Sequence, residues 1–113
     1  MLRNRAFTGL FIMKKDNGEW EYLSKFSRRK EKCNFEWSLD KVKYFPDTSI
    51  KGELAWKAFS AVREKYPDSR IILYALINNK VHRVKYYDPA ANPKVINWFL
   101  PSDFYAYMPQ KTY

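Results

Sequence analysis

The strongest local signal in the chain is Asp16-Asn17-Gly18, a turn sequence between two segments of β character. An Asn-Gly step readily takes the positive φ angles of a tight hairpin turn, so residues 6–15 and 19–26 are predicted to pair as antiparallel strands. The period of two in the second segment is typical of a half-buried strand. This alternation predicts one shared face for Trp20, Tyr22, Ser24 and Phe26.

A second pair of β segments follows later in the chain. Residues 70–77 are rich in isoleucine, leucine and tyrosine, and they meet residues 81–87 across Asn78-Asn79-Lys80, which indicates a second hairpin. Alternation in the outgoing strand predicts an exposed face that carries two cations beside an aromatic ring. That face comprises Val81, Arg83, Lys85 and Tyr87.

One segment has a helical pattern. Residues 50–66 follow the turn residues 46–49, and Pro67 ends the segment because proline cannot continue a helix. Its apolar stripe predicts a helix that covers one face of a sheet. The stripe consists of Ala55, Phe59, Val62 and Tyr66, widened by Leu54, Ala58 and Ala61.

Between the first hairpin and this helix, residues 34–37 are predicted to form a short third strand. Ser38 is predicted to cap a brief helical turn in which Leu39 and Val42 share a face. The order ββ(β)αββ predicts a single α+β domain over residues 1–113, with an antiparallel sheet of two hairpins and one main helix packed on one face. From about residue 101 an irregular, aromatic C-terminal segment is expected.

The charge balance points to binding. The chain has 21 Lys and Arg residues against 12 Asp and Glu, a net charge of +9, and 19% of its residues are aromatic. Such a surface attracts phosphate or an acidic protein patch, and its rings can stack on bases or anchor an interface. The strongly positive charge also excludes inhibition by mimicry of DNA, which requires an acidic surface.

Catalytic chemistry has little support in the composition. His82 and Cys33 are single in their types, and the three glycines are scattered, so no glycine-rich phosphate loop is present. A Cys33–His82 nucleophilic pair is conceivable because such pairs meet in space, but an ordinary packing role is the expected one for each residue. We therefore predict a non-enzymatic protein with no catalytic residue, no metal site and no cofactor.

Compartment and solubility follow from two further observations. A single cysteine cannot form an internal disulfide, which favours a reducing, cytoplasmic location. The apolar run at residues 10–13 is too short for a signal-peptide core, and the longest apolar run, residues 71–77, is far below the ~20 residues of a membrane helix. A soluble protein without membrane contact is expected.

The main cluster of cations lies in residues 27–33, a stretch that breaks the β alternation and is predicted to be a loop. Closely spaced cations gain affinity for a polyanion by releasing counterions, although many soluble proteins carry a solvated basic loop with no partner. The candidate binding residues are Lys25, Arg28, Arg29, Lys30 and Lys32, extended by Arg83 and Lys85 if the two hairpins are neighbours. The candidate aromatic anchors are Trp56, Tyr87, Tyr105 and Tyr107.

Residues 35–45, with the sequence Phe-Glu-Trp-Ser-Leu-Asp-Lys-Val-Lys-Tyr-Phe, precede the capped helix. This arrangement resembles a pattern in small bacteriophage accessory proteins: a tryptophan-containing strand, a short turn and a phenylalanine before a helix. The resemblance implies a protein that binds and alters a host enzyme or defence complex, a group that includes the anti-CRISPR proteins.

Two functional hypotheses result. The preferred one is a phage-encoded protein, monomer or homodimer, that binds and inhibits or redirects a host nucleic-acid-handling or defence complex. The alternative is a protein that binds RNA or DNA directly, with phosphates on the candidate cations and bases stacked on tyrosine or phenylalanine. A continuous basic stripe with coplanar exposed rings favours nucleic acid, whereas a compact apolar patch rimmed by charge favours a protein partner.

Overall fold

The computed structural model describes residues 7–16, 18–29, 32–45, 53–77 and 79–97. In these ranges the elements are β1 (Phe7–Lys15), β2 (Trp20–Arg29), β3 (Lys32–Ser38), α1 (Glu53–Lys65), β4 (Arg70–Ile77), β5 (Lys80–Tyr87) and β6 (Val95–Asn97). The strands form one antiparallel sheet in the order β3-β2-β1-β4-β5-β6, and α1 packs on one of its faces. The predicted α+β class, with an antiparallel sheet and one helix, is confirmed.

The core lies between α1 and the middle of the sheet. On the helix, Ala55, Ala58, Phe59 and Val62 are buried, which confirms the predicted stripe at these positions, whereas Leu54 is 41% exposed. The sheet contributes side chains two residues apart in each central strand, because alternate residues point to the same face. These are Leu10 and Ile12 in β1 and Ile71, Leu73, Ala75 and Ile77 in β4.

A short extended segment separates the two strands of the first hairpin. β1 and β2 pair only from Met13↔Tyr22 to Lys15↔Trp20, and beyond this point residues 43–45 lie between them. The N–H of Lys43 donates to Leu23 O at 2.9 Å, and Leu10 and Phe45 exchange two backbone hydrogen bonds of 2.9 and 2.7 Å. We call residues 43–45 the wedge, because they lie between β1 and β2 and form backbone hydrogen bonds with both strands.

Two β-bulges change which side chains share a face. In β2 the register shifts between Leu23 and Lys25, and in β5 a shift opposite Leu73 and Tyr74 leaves Val84 as the extra residue. Each inserted residue reverses the alternation that follows it. The predicted common face of Trp20, Tyr22, Ser24 and Phe26 is therefore wrong, since Phe26 lies on the helix side. So is the predicted exposed face of β5: Arg83 and Lys85 lie on opposite faces and Tyr87 is buried.

Other local predictions also need correction. The basic stretch at residues 27–33 is not a simple loop, because β2 continues to Arg29 and β3 begins at Lys32, while residues 30 and 31 lie outside the described ranges. Ser38 caps no helical turn: its hydroxyl accepts from the N–H groups of Asp40 and Lys41 at a bend, and Leu39 is 61% exposed. A serine hydroxyl can satisfy local N–H groups in such a turn without a helix.

None of the helical segments in the described ranges is long and apolar enough to cross a membrane.

Candidate functional site

The face of the sheet opposite α1, called the outer face below, carries a concentration of rings. Residues that are directly paired in neighbouring antiparallel strands share a face, so the register identifies its members. They form three rows that run across the strands. The aromatic row contains Phe11, Tyr74 and Arg83; the mixed row contains Tyr22, Met13, Ile72, Tyr86 and Ile96; the cationic row contains Trp20, Lys15 and Arg70.

Phe11 is the centre of the ring cluster. It is 6% exposed, and its ring centroid lies 5.2 Å from that of Tyr74 in a stacked arrangement, with an interplanar angle of 27°. Tyr22 lies at 5.9 Å and is tilted, and Tyr44 of the wedge lies at 5.7 Å with its edge to the ring. Tyr44 is 40% exposed. The cluster therefore presents separate tyrosine rings around a buried phenylalanine.

The cationic row lies beside these rings. Lys15 Nζ is 6.0 Å from the ring centroid of Trp20, and Lys15 is directly paired with Arg70 in β4. Arg70 is exposed, and its Nε lies 4.0 Å from Asp88 Oδ2. Along β1, Phe11, Met13 and Lys15 are successive residues of the outer face, so each row lies about 7 Å from the next.

Tyr86 connects the mixed row to Asp88. Its hydroxyl donates to Asp88 Oδ2 at 3.4 Å. Burial, followed by the negative charge of Asp88, raises the pKa of Tyr86 above its ordinary value of 10.0. At neutral pH this phenol is therefore a neutral hydrogen-bond donor.

The predicted basic residues do not all lie on one face of the sheet. By register, Lys25, Arg29 and Lys32 lie on the outer face, Lys25 directly opposite Glu36, whereas Arg28 lies on the helix side opposite Cys33. Lys30 lies outside the described residues. The two hairpins are neighbours through β1 and β4, but these two strands separate the cations of β2 from Arg83 in β5.

The remaining predicted site residues lie elsewhere. Lys85 Nζ is 5.4 Å from the ring centroid of Phe59, on the helix side of the sheet. Trp56 is partly buried and packs against the core. Tyr87 is not an exposed anchor, because it is 6% exposed and its hydroxyl donates to Pro67 O at 2.6 Å. Tyr105 and Tyr107 lie outside the described residues.

Lys14 is a buried cation that the sequence reasoning did not single out. It is 4% exposed, and its Nζ lies 2.6 Å from Asp16 Oδ2 and 4.7 and 4.6 Å from the ring centroids of Trp37 and Tyr66. Two rings and one carboxylate replace its hydration shell. The sequence signal that indicates its position is the period of two in Leu10, Ile12 and Lys14, which puts the lysine on the core face of β1.

Asp16 joins this cluster to the turn after the helix. Its carboxylate accepts hydrogen bonds from Lys14 and from the hydroxyl of Ser69, the residue before β4. These two hydrogen bonds, that of Lys14 above all, hold the pKa of Asp16 below its usual value of 3.8. Trp37 Nε1 also donates to the hydroxyl of Tyr66 at 3.3 Å. We call Lys14, Asp16, Trp37, Tyr66 and Ser69 the clasp. Their contacts connect the first hairpin and β3 to the end of α1 and the turn that follows it.

Cys33 and His82 do not form a nucleophilic pair. Cys33 is in β3 and His82 is in β5, with β2, β1 and β4 between them. Four strand spacings of about 4.8 Å separate the two residues, which is far beyond hydrogen-bond reach. In the part of the chain that the structure describes, no group of three His, Cys, Asp or Glu residues could hold a metal ion.

The chain matches no protein-family model, no curated protein and no solved structure.

Proposed function

We propose that this protein binds single-stranded nucleic acid on the outer face of its sheet. The observation that carries the proposal is the position of the ring cluster around Phe11 within two rows of the Lys15–Arg70 pair. Rings that accept bases beside cations that attract phosphates are the two components of single-strand recognition.

The sign of the charge on this face supports a polyanionic partner. Among the register-paired strand residues, the outer face carries six cations and one carboxylate, Glu36. The cations are Lys15, Lys25, Arg29, Lys32, Arg70 and Arg83. Together with the net charge of +9, this excess attracts a phosphate backbone and repels a basic protein surface.

The arrangement of the rings favours a single strand over a duplex. Tyr22, Tyr44 and Tyr74 surround Phe11 on the surface of a sheet, whereas the bases of a duplex are stacked inside the double helix, where these rings cannot reach their faces. The rings of Tyr22 and Tyr44 make angles of 51° and 79° with the ring of Phe11, so the expected coplanar arrangement is limited to Tyr74, which is stacked on Phe11 at 27°. Individual bases would therefore stack on individual tyrosines and not along one continuous platform.

The outer face also has an apolar part, which would suit a protein partner. Val81 is 54% exposed and Ile96 is 37% exposed, and both belong to outer-face positions. The preferred hypothesis from the sequence, an inhibitor of a host complex, would use such residues as anchors. We favour nucleic acid because cations outnumber carboxylates on this face and because the rings lie at its centre.

Fluorescence anisotropy with labelled 12-nucleotide single strands of RNA and DNA, and with a duplex of the same sequence, tests this proposal. Tyr74→Ala should weaken single-strand binding by about 5- to 150-fold, the equivalent of ~1–3 kcal/mol for one stacked base. Tyr74→Phe keeps the ring and should bind within about twofold of the wild type. Lys57→Gln, an exposed charge on α1, controls for a general loss of positive charge.

Two results would overturn the proposal. The first is no binding of any single strand by the folded wild-type protein at low salt. The second is equal affinity of the wild type and Tyr74→Ala. A discrete protein partner that survives nuclease treatment, from a protein that binds no oligonucleotide, would support the inhibitor hypothesis instead.

A further inference from the structure

We infer that the bound single strand crosses the β-strands, with its phosphates on Lys15 and Arg70 and its bases over the mixed and aromatic rows. The inference rests on the proposed function and assigns the parts of the ligand to particular rows. It predicts a short footprint on β2, β1, β4 and β5.

The rows of the outer face follow the same order in the two central strands, β1 and β4. Moving along β1 from Lys15 to Met13 to Phe11, the outer face changes from cations to a mixed row and then to the stacked rings. The corresponding order in β4 is Arg70, Ile72 and Tyr74. In these two central strands charge and rings are therefore separated along the strand, and across the sheet Lys15 is paired with Arg70 and Phe11 with Tyr74, as a nucleotide chain lying across the sheet requires. In the flanking strands Trp20 and Arg83 depart from this order.

The cationic row contains a direct pair of like charges. Lys15 and Arg70 lie opposite each other in adjoining strands, an arrangement that destabilises a sheet when nothing lies between the charges. Asp88 offsets part of this repulsion, but it lies 4.0 Å from Arg70, and Lys15 has its 6.0 Å contact with Trp20. Phosphates bound to the two cations would relieve the remaining repulsion, with one phosphate contact for each cation.

The width of the four strands also suits a short stretch of single strand. β2, β1, β4 and β5 span three strand spacings, about 14 Å in total, which suits the two or three bases that aromatic residues on a four-stranded sheet typically stack. The other directly paired cations, Arg29 and Lys32, lie near the far end of β2. Arg29 is seven residues from Tyr22, roughly 23 Å along the strand, so a footprint of this length does not reach it.

The salt dependence of binding measures the number of phosphate contacts and so tests this assignment. For single strands each phosphate contact contributes about 0.7 to the slope of log K against log salt. The double variant Lys15→Gln/Arg70→Gln removes two of these contacts, so the magnitude of its slope should be smaller than that of the wild type by about 1.4. The variant should still bind weakly through the rings. Lys57→Gln/Lys65→Gln, on exposed residues of α1, is the control with the same loss of charge.

The competing site is tested by Arg29→Gln/Lys32→Gln, which removes the other like-charge pair. The inference would be overturned if this variant showed a weaker salt dependence while Lys15→Gln/Arg70→Gln kept the wild-type slope. Nucleic-acid binding itself would then still hold. A complete lack of binding by the wild type would instead be a failure of the proposed function. Thermal unfolding of each variant confirms that the comparison is made between folded proteins.

Discussion

Tyr44 lies directly against the backbone of Gly9. A Cβ atom built on Gly9 would be 3.0 Å from Cβ of Tyr44 and 3.1 Å from Phe45 O. The absence of a side chain at Gly9 therefore allows the wedge to approach β1, and this approach brings the Tyr44 ring against Phe11. One glycine in a strand thus shapes the ring cluster of the outer face.

Gly9→Ala should destabilise the fold and disturb the ring cluster. Gly9 has φ +153°, which L residues rarely adopt, and the new methyl group would press on the wedge. We expect a loss of about 1–3 kcal/mol in the free energy of unfolding, measured by urea denaturation. Gly18→Ala is the matched control, because no atom beyond its two chain neighbours lies within 4 Å of a Cβ built on it. Equal stability of the two variants would contradict the close approach at Gly9.

Tyr87→Phe tests whether Tyr87 is a structural residue. Its hydroxyl donates to Pro67 O at 2.6 Å, so the variant should lose about 0.5–1.5 kcal/mol of stability. Because Tyr87 is buried on the helix side, single-strand affinity should stay within twofold of the wild type. The two readouts are urea denaturation and anisotropy. A large loss of affinity at unchanged stability would restore Tyr87 as a binding residue.

Local patterns in the sequence predict the helix and the two hairpins, because both depend on neighbouring residues. The stripe of Ala55, Phe59 and Val62 faces the core, and Asn79 adopts φ +63° between β4 and β5, as a two-residue turn requires. These are features that turn residues and periodicity determine directly.

The composition of the outer face cannot be predicted from local patterns, because it depends on how strands that are distant in the sequence pair with each other. Phe11 meets Tyr74 only when β1 pairs with β4, across more than 60 residues of sequence. The bulges at Ser24 and Val84 occur at residues that are ordinary in strands, so alternation alone continues through them and assigns the wrong face to Phe26 and Tyr87. The predicted cations of β2 form a run in the sequence, whereas Lys15 and Arg70 become a pair only in the sheet.

Phe59→Ala should cost about 3–5 kcal/mol of stability, since its ring is 1% exposed at the centre of the helix–sheet interface. Leu54→Ala, at a helix position that is 41% exposed, is the comparison and should cost markedly less. Urea denaturation at neutral pH measures both. Similar midpoints for the two variants would show that α1 presents a different face to the sheet.

Asp16→Asn should weaken the clasp around Lys14 in a manner that depends on pH. The hydrogen bonds from Lys14 and Ser69 hold the folded-state pKa of Asp16 below 3.8, so the native state binds fewer protons at this group than the unfolded chain does. The stabilisation is therefore fully present above about pH 5 and is lost as the pH falls below 3.8 and through the folded-state pKa. The Asp16 side chain is 47% exposed, so we expect only about 1 kcal/mol at neutral pH.

Urea denaturation of the wild type and Asp16→Asn between pH 7 and pH 2 measures this contribution. The difference in unfolding free energy should be constant from pH 7 to about pH 5 and should shrink steadily below pH 4, since the protonated wild-type carboxyl group then resembles the neutral amide. Asp68→Asn, at an exposed residue of the turn after α1, is the control for the loss of one negative charge. A difference between wild type and Asp16→Asn that persists undiminished at pH 2 would mean that the carboxylate charge does not stabilise Lys14, and that its two rings hold the ammonium group instead.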